Sequence, residues 1–383
     1  SERLQWRART LDTTAPDALA RTHRLPNLVA RELAARGWQP GDALHTFLEA
    51  PSSDEPDYTR LIGVPEASER LLKAIDARER ITVCGDYDID GITSTSLLLA
   101  YLRKRGAVVD HFLPHRVLEG YGLNETCLRE LAGRGSKVLV TVDNGITSVR
   151  EVGLARELGM DVILTDHHKP GPELPPANVI INPRLMDDPG LFAPLAGVGV
   201  AYALARGLDA ARPMEDYDAR DLLDFVAMGT LGDQAPLAQE NRRLVRLGLK
   251  RIADQPRKGL AALARAVKCN LRQANLGEHL AQRVIPRLNA AGRLAHPTLA
   301  LELLLCENDS AAKELAELLE NLNKQRRTLS VATEHQAIAM LTGTRAAERP
   351  AIVLADAYWH HGVMGIVATR LAERFRKPVL LFA

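Results

Sequence analysis

Three aspartates spaced two apart open the chemistry of this 383-residue chain. They lie in Ile81-Thr82-Val83-Cys84-Gly85-Asp86-Tyr87-Asp88-Ile89-Asp90-Gly91, where four residues of strand character run into the acidic stretch and a glycine frees the chain to turn. In extended backbone, residues i, i+2 and i+4 point the same way, so Asp86, Asp88 and Asp90 are expected to line one face. Like charges that close repel unless a cation neutralises them, and crowded carboxylate oxygens are what Mg²⁺ or Mn²⁺ requires. An isolated D-x-D is usually a solvated acidic turn. Behind an apolar strand and ahead of an apolar helix, this one sits where open parallel sheets place their ligands, which favours a metal.

Three further clusters follow apolar runs. Asp143-Asn144-Gly145 ends a strand predicted through Val142, and Asp166-His167-His168-Lys169-Pro170 ends another through Thr165. Gly229-Thr230-Leu231-Gly232-Asp233 follows a helix predicted over 225–228. Each alone is weak, since Asp is a common turn and N-cap residue and a His pair is more often structural. Together they bring carboxylates and imidazole to the C-terminal edge of one sheet. That set suits two Mn²⁺ or Mg²⁺ ions about 3.5–4 Å apart, as in two-metal phosphoester hydrolysis. Two such ions lower the pKa of a water, screen the phosphate and stabilise the leaving oxygen. There is no nucleophile elbow or triad, and no P-loop to suggest ATP hydrolysis.

The elements that must position these groups alternate. A helix over 64–78 leads into strand 81–84, then helix 93–105, strand 108–113, helix 125–133, strand 138–142, helix 148–158 and strands 162–165 and 179–181. This alternation predicts βαβ units and a mostly parallel sheet in an α/β domain, closed by helices over 197–208 and 220–228. Residues 236–340 read only as helix. The longest stretch has apolar Leu315, Leu318, Leu319, Leu322 and Leu329, with a cap in Asn308-Asp309-Ser310, and is expected to connect two domains. A strand over 351–355, a helix over 364–375 and a strand over 379–382 begin a second α/β unit. Because the chain stops inside that last strand, a fragment of a longer protein is expected. Residues 1–60 look helical, broken by prolines, with Trp6 and Trp38 expected to anchor them to the body. The expected divisions are 1–60, 61–235, 236–345 and 346–383.

Bulk properties narrow the class. Hydrophobic residues make up 46% and charged residues 25%, as in a soluble globular protein of more than one domain. No apolar run approaches the roughly 20 residues that span a bilayer, and the first residues lack a signal-peptide pattern. Four scattered cysteines suit a reducing cytoplasm and argue against structural zinc. The net charge of +1 means that any polyanion must be held by a local groove.

The motif series D-x-D-x-D, V-D-N-G, D-H-H and the Asp of G-T-x-x-D, in that order over residues 81–233, resembles the DHH phosphoesterase superfamily. Within it the likeness is greatest to bacterial single-strand-specific 5′→3′ exonucleases. The later Trp359-His360-His361-Gly362-Val363-Met364-Gly365-Ile366-Val367-Ala368 resembles the opening of the associated DHHA1 substrate domain. The resemblance implies a DHH catalytic domain over 61–235 and the start of DHHA1 over 346–383. It implies that Asp88 and Asp90 ligate metal, with Asp86 a ligand or a support, and that Asp143 bridges two ions. It further implies that His167 ligates one ion, that Asp233 completes the second, that Asp166 supports from behind and that His168 orients or contacts the scissile phosphate. Many relatives carry His four residues before the first ligand, where this chain has Cys84, so one ion is expected to be held less firmly or through water.

For a single strand, cations must meet phosphates and planar groups must meet bases. Arg116 is expected on a phosphate and Tyr121 as a stacking ring. In the resembling family the stretch around Arg287, Asn289 and Arg293 faces the active site, which makes these three substrate contacts, with His360 contacting the substrate or closing the cleft. The charge runs at Arg242-Arg243 and at Lys324 to Arg327 read as solvated helix faces. With 4% aromatic residues, backbone electrostatics should dominate and binding should weaken with salt. The implied function is a Mn²⁺- or Mg²⁺-dependent 5′→3′ exonuclease on single-stranded DNA in repair and recombination, in the bacterial cytoplasm, with a helicase and a single-strand-binding protein as partners and no membrane. Two alternatives stand beside it: a nanoRNase or small-nucleotide phosphodiesterase, and a non-catalytic DNA-holding scaffold.

Overall fold

The computed structural model describes residues 14–49, 55–120, 122–342 and 349–383. Contacts divide the chain into two compact units, Ser1–Pro56 and Asp57–Ala383. In the first, helices α1 (Thr14–His23), α2 (Asn27–Ala35) and α3 (Asp42–Glu49) close over Leu19, Ala30, Leu33 and Leu44. Trp38 packs inside this unit, its ring 4.5 Å from that of Phe47, and Trp6 lies outside the described residues.

The second unit is built on a five-stranded parallel sheet in the order β2-β1-β3-β4-β5. Its strands are β1 (Arg80–Cys84), β2 (Val108–Phe112), β3 (Ser136–Val142), β4 (Asp161–Thr165) and β5 (Val179–Ile181). The central strands read as continuous apolar runs because both faces are covered. Ile81, Val83, Val138, Val140 and Ile163 face a large cluster shared with α4 (Val64–Asp76), α5 (Ile89–Lys104), α8 (Gly197–Ala211) and α9 (Leu223–Asp233). Leu139, Val162 and Leu164 face a smaller one under α6 (Glu125–Gly133) and α7 (Val149–Glu157). Strand order reverses between β1 and β3, and parallel sheets bind ligands at such a switch point, beyond the strands' C-terminal ends. Cys84 pairs with Thr141 and Val142 with Thr165, so the three acidic motifs leave the sheet on one edge.

Helix α5 is buried on almost every side. Its Thr93, Thr95 and Ser96 hydroxyls donate to the carbonyls of Ile89, Gly91 and Ile92 at 2.7, 2.7 and 2.8 Å, which satisfies these three inside the core. It starts at Ile89, four residues earlier than the periodicity suggested. Asp88 caps it, its Oδ1 accepting from the Asp90 and Gly91 amides at 2.9 and 3.3 Å. The aspartates therefore occupy a strand-to-helix turn rather than an extended face. Likewise α9 runs unbroken through Gly229 to Asp233, where a helix followed by a loop was expected.

Helices α10 (Gln239–Asp254), α11 (Lys258–Ala266) and α12 (Leu276–His279) follow, then a π turn (Leu280–Val284), α13 (Ile285–Leu294) and α14 (Thr298–Leu305). Helix α15 (Asp309–Leu341) spans 33 residues, or ~50 Å. Asn308 caps it, its Oδ1 accepting from Ser310 and Ala311 at 2.9 and 3.0 Å. A parallel pair, β6 (Ile352–Ala355) and β7 (Val379–Phe382), is joined through α16 (His361–Phe375). The Arg242-Arg243 run departs from the solvated face expected of it: Arg243 is buried, donating to Glu240 and, at 3.0 Å, to the Tyr58 hydroxyl. No helix among the described residues is long and apolar enough to cross a membrane.

Candidate metal centre

The four acidic motifs meet at the switch point. Three sets of side chains each bring their ligand atoms within 4.8 Å of one another: Asp86, Asp88 and Asp143; Asp90, His167 and Asp233; and Asp143, His167 and His168. The first two sets share no residue, so each could hold an ion of its own. The third joins them. Asp90, from the same three-aspartate turn, groups with Asp233 on α9 rather than with Asp86 and Asp88.

Backbone geometry makes this possible. Asp143 follows β3 with φ +61, a left-handed conformation that Asp tolerates better than most residues. Its amide donates to the Thr165 carbonyl at 3.1 Å, fixing the turn against β4. Two helix ends then close in. The N-terminal amides of α8, from Gly197 and Val198, donate to Asp90 Oδ2 at 2.7 Å and Oδ1 at 2.9 Å. A helix N-terminus is a favourable place for a carboxylate. That approach requires glycine, because a Cβ on Gly197 would stand 2.7 Å from Asp143 Oδ1.

Electrostatics show what the turn lacks. Burial, then the charge of Asp88, pushes the Asp86 carboxyl up to about 7. Burial and neighbouring carboxylates push Asp90 and Asp143 well above the ordinary range. Asp233 is pushed up to about 6 by the protein packed around it and by Asp88. Asp86 Oδ1 is buried with no hydrogen-bond partner among the described residues. His167 is held down to about 4 by burial and by His168, so its imidazole is neutral near pH 7, the form that ligates. Its Nε2 lies 3.1 Å from Asp143 Oδ1 and 3.7 Å from Asp90 Oδ2. Mutually repelling oxygens, one of them unbonded, around a neutral imidazole fit hard divalent cations, and no thiolate joins them. The Cys84 thiol instead lies in the apolar cluster under α6 with Cys127, where burial raises its pKa well above the usual value.

Asp166 stands apart from the ligand groups. Its Oδ1 accepts from the His167 and His168 amides at 2.8 and 3.1 Å and pairs with His168 Nδ1 at 2.8 Å, while Oδ2 accepts from Ile146 at 3.0 Å. Burial opposes its ionisation, yet these bonds outweigh burial and hold the carboxyl below its ordinary value. The same bond raises His168, which is half exposed and turns its other ring nitrogen away from Asp166.

Beside the aspartates lies a polar cavity of about 270 Å³ between Tyr87, Asp88, Arg116, Asp233, Asn289 and Arg293. Three of the expected substrate contacts meet here. Arg116 lies over the Tyr87 ring, 4.6 Å from its centroid, while Tyr121 falls outside the described residues. Asn289 Oδ1 accepts from the Ile89 amide at 2.8 Å, tying α13 to the start of α5. Arg293 is largely buried and donates to the Gly362 carbonyl at 3.2 Å; burial, then Arg116 and Arg326, lowers it to about 10. Arg287 is placed elsewhere, its Nε 2.7 Å from Glu320 on α15. His360 caps α16, its Nδ1 accepting from the Gly362 amide at 3.0 Å.

Sequence patterning missed several contributors. Tyr87 was hidden between two of the aspartates. Arg326, assigned to a solvated face, lines a second cavity of about 300 Å³ that shares Asn289 and Arg293 with the first. The α8 amides carried a signal in Gly197-Val198-Gly199, since glycines opening a helix mark a close approach.

Comparison with known proteins accords with this geometry. Residues 80–230 match the model of the DHH family, N-terminal domain. The single-stranded-DNA-specific exonuclease RecJ of Bacillus subtilis is 39% identical over the whole of this chain and 48% of its own length. RecJ of Escherichia coli is 38% identical over the whole chain and 67% of its own length. A solved structure of exonuclease RecJ bound to manganese superposes with a TM-score of 0.79 at 38% identity, covering 86% of this chain and 82% of the other. The chain thus spans about half the length of the first of these relatives.

Proposed function

Because this chain belongs to the RecJ family, we propose that it is the nuclease part of an exonuclease that removes nucleotides from the 5′ end of single-stranded DNA with two Mn²⁺ or Mg²⁺ ions. The observation that carries the proposal is the pair of disjoint ligand sets joined through Asp143 and His167 at the sheet's switch point. Asp86, Asp88 and Asp143 would hold one ion, and Asp90, His167 and Asp233 the other. Bound there, two divalent cations supply water activation and charge neutralisation for an in-line attack on phosphorus.

The chain's own residues do the rest. Asp166 fixes His168 by its Nδ1, leaving Nε2 to donate to a non-bridging phosphate oxygen. Arg116, Arg293 and Asn289 line the cavity beside Asp88 and Asp233, and we assign the two arginines to the phosphates of the terminal nucleotide. Tyr87, under Arg116, offers a ring face to a base. The β6-α16-β7 unit is assigned as the start of a DHHA1 substrate domain, with His360 at its helix cap facing the strand. Repair and recombination in the cytoplasm, with a helicase and a single-strand-binding protein to deliver the strand, complete the proposal.

The test is incubation with Mn²⁺ and two single-stranded 40-mers, one labelled at each end, beside an Asp143→Asn variant. Immediate mononucleotide release from the 5′ label, lost in the variant, is the expected result. Cleavage of dinucleotides alone would move the assignment to a small-nucleotide phosphodiesterase. Strand binding with no product from either protein would falsify nuclease function for this chain.

A further inference from the structure

We propose that a crevice at the opposite end of α5 from the metal centre is a second binding site, for a nucleoside monophosphate. It opens between the last turn of α5, the segment entering α9, the end of α10 and the residues after α14. The 16 residues of α5 put ~24 Å of helix between it and the aspartates. Its volume is about 420 Å³, larger than the cavity at the aspartates and within the roughly 300–1,000 Å³ of small-molecule sites.

The lining selects an anion. Arg103, Lys104, Arg251 and Arg257 stand against Asp221 and Glu307 in the lining and Asp224 behind Arg257, an excess of one cation, and Arg103 and Lys104 make no ion pair with a carboxylate among the described residues. A phosphate monoester carries about −1.5 to −2 charges at pH 7, which the two cations without a carboxylate partner, Arg103 and Lys104, would balance. Two of the cations are already held in place. Arg257 donates from Nε to Asp224 Oδ2 at 2.6 Å and from Nη2 to Asp224 Oδ1 and the Asp221 carbonyl, both at 3.2 Å, with its guanidinium over the Phe225 ring. Arg251 Nη1 lies 3.2 Å from Asp221 Oδ1. Groups fixed beforehand lose little freedom on binding. The Arg103 side chain makes no hydrogen bond or ion pair among the described residues, and Lys104 rests over the Tyr217 ring at 5.7 Å, so both cations are available to a ligand.

The rest of the wall selects a planar body. Tyr217, Leu305 and Ala100 give one aromatic and two aliphatic surfaces, enough for one base and no more. A strand would need that pairing of cation and ring repeated along a track. One cationic cluster beside one ring is the complement of a single nucleotide. The site stands independently of the reading of the metal centre.

Calorimetric titration of the full chain in EDTA tests it, with deoxyadenosine monophosphate, deoxyadenosine and inorganic phosphate as separate probes. The monophosphate should bind at one site, and the double variant Arg103→Ala/Lys104→Ala should bind it at least about tenfold more weakly, the loss expected of one charge-assisted bond. Both side chains are exposed, so the variant folds, which its melting temperature checks. Arg293→Ala, which alters the cavity at the aspartates, should leave this binding unchanged. No binding, binding indifferent to the double variant, or binding lost in Arg293→Ala would each overturn the proposal. Phosphate or deoxyadenosine binding as tightly as the monophosphate would overturn the choice of ligand.

Discussion

His167 Nε2 stands 3.1 Å from Asp143 Oδ1, and each residue belongs to two of the three groups of candidate ligands, so this pair is the joint between the two proposed ion positions. A joint of that kind would couple two ions bound there. Each position shares a residue with the linking group, so disturbing either residue is felt at both.

Asp143→Asn separates the cost of this carboxylate from its use. Asn keeps the shape and tolerates the left-handed backbone at φ +61, so misfolding is not the readout. Without metal, ionising Asp143 is unfavourable, because the carboxyl is buried and faces Asp90, Asp88 and Asp86. The variant should therefore melt higher than the native chain in EDTA. With Mn²⁺ the order should reverse, and cleavage should fall by more than ~100-fold, above the loss typical of a group that only supports a ligand. Equal metal-induced shifts in both proteins would show that Asp143 binds nothing.

Protons and metal compete for the same oxygens. Asp86, pushed up to about 7, and Asp233, pushed up to about 6, bind protons in the folded chain at a pH where unfolded aspartates, near ~3.9, have lost them. A carboxyl whose folded pKa is raised contributes stability below the unfolded value and loses it as pH rises through the folded value. The metal-free chain should lose that contribution between about pH 4 and pH 7. Mn²⁺ affinity must run the other way, weakening as pH falls from 8 towards 5.5 with proton release on binding. Titrations in two buffers of different ionisation enthalpy measure that release, and a pH-independent affinity would remove these carboxylates from the ligand set.

Some of this was legible in the residue order and some was not. Val138 to Val142 reads as a strand because a parallel strand covered on both faces has no polar side to blur the pattern. The acidic motifs are legible because residues following adjacent strand ends must share an edge. What failed depends on distance in sequence or on competition at one residue. Asp88 had two uses, and capping α5 won over continuing the strand, which turned Asp90 towards Asp233. Arg287 pairs with Glu320 33 residues on, and Asn289 meets the Ile89 amide 200 residues away, partners that no local spacing announces. Arg326 looked solvated because a helical charge run says nothing about what packs against one of its members.

Asp166→Asn tests whether the carboxylate acts through His168. With the bond at 2.8 Å weakened, the raised pKa of His168 should fall towards its ordinary value. An imidazolium that helps phosphate is lost as pH rises through its pKa, so the alkaline limb of the rate profile should move to lower pH. The rate at the optimum should drop roughly 10–100-fold with Mn²⁺ affinity little changed. A large loss of metal affinity, with the limb unmoved, would instead make Asp166 a support for His167.

Gly197→Ala addresses the closest approach in the centre. The added Cβ would sit 2.7 Å from Asp143 Oδ1 and 2.7 Å from Asp143 Cβ, inside a turn that cannot yield without moving α8 off Asp90. Overpacking of this kind costs about 1–3 kcal/mol, and here it should also loosen the two amide bonds to Asp90. Gly365→Ala is the matched control, because that glycine lies within α16 with nothing within 4 Å of the new methyl. It should stabilise the chain by about 0.5–1 kcal/mol, the gain of Ala over Gly in a helix interior. Urea melts in EDTA read both values, and Mn²⁺ titration then shows whether Gly197→Ala weakens metal beyond its effect on folding. If Gly197→Ala costs less than Gly365→Ala gains, with metal affinity intact, α8 does not close on the carboxylates as described. A cost above 1 kcal/mol with weakened Mn²⁺ binding, against a stabilised control, ties the start of α8 directly to the ion positions.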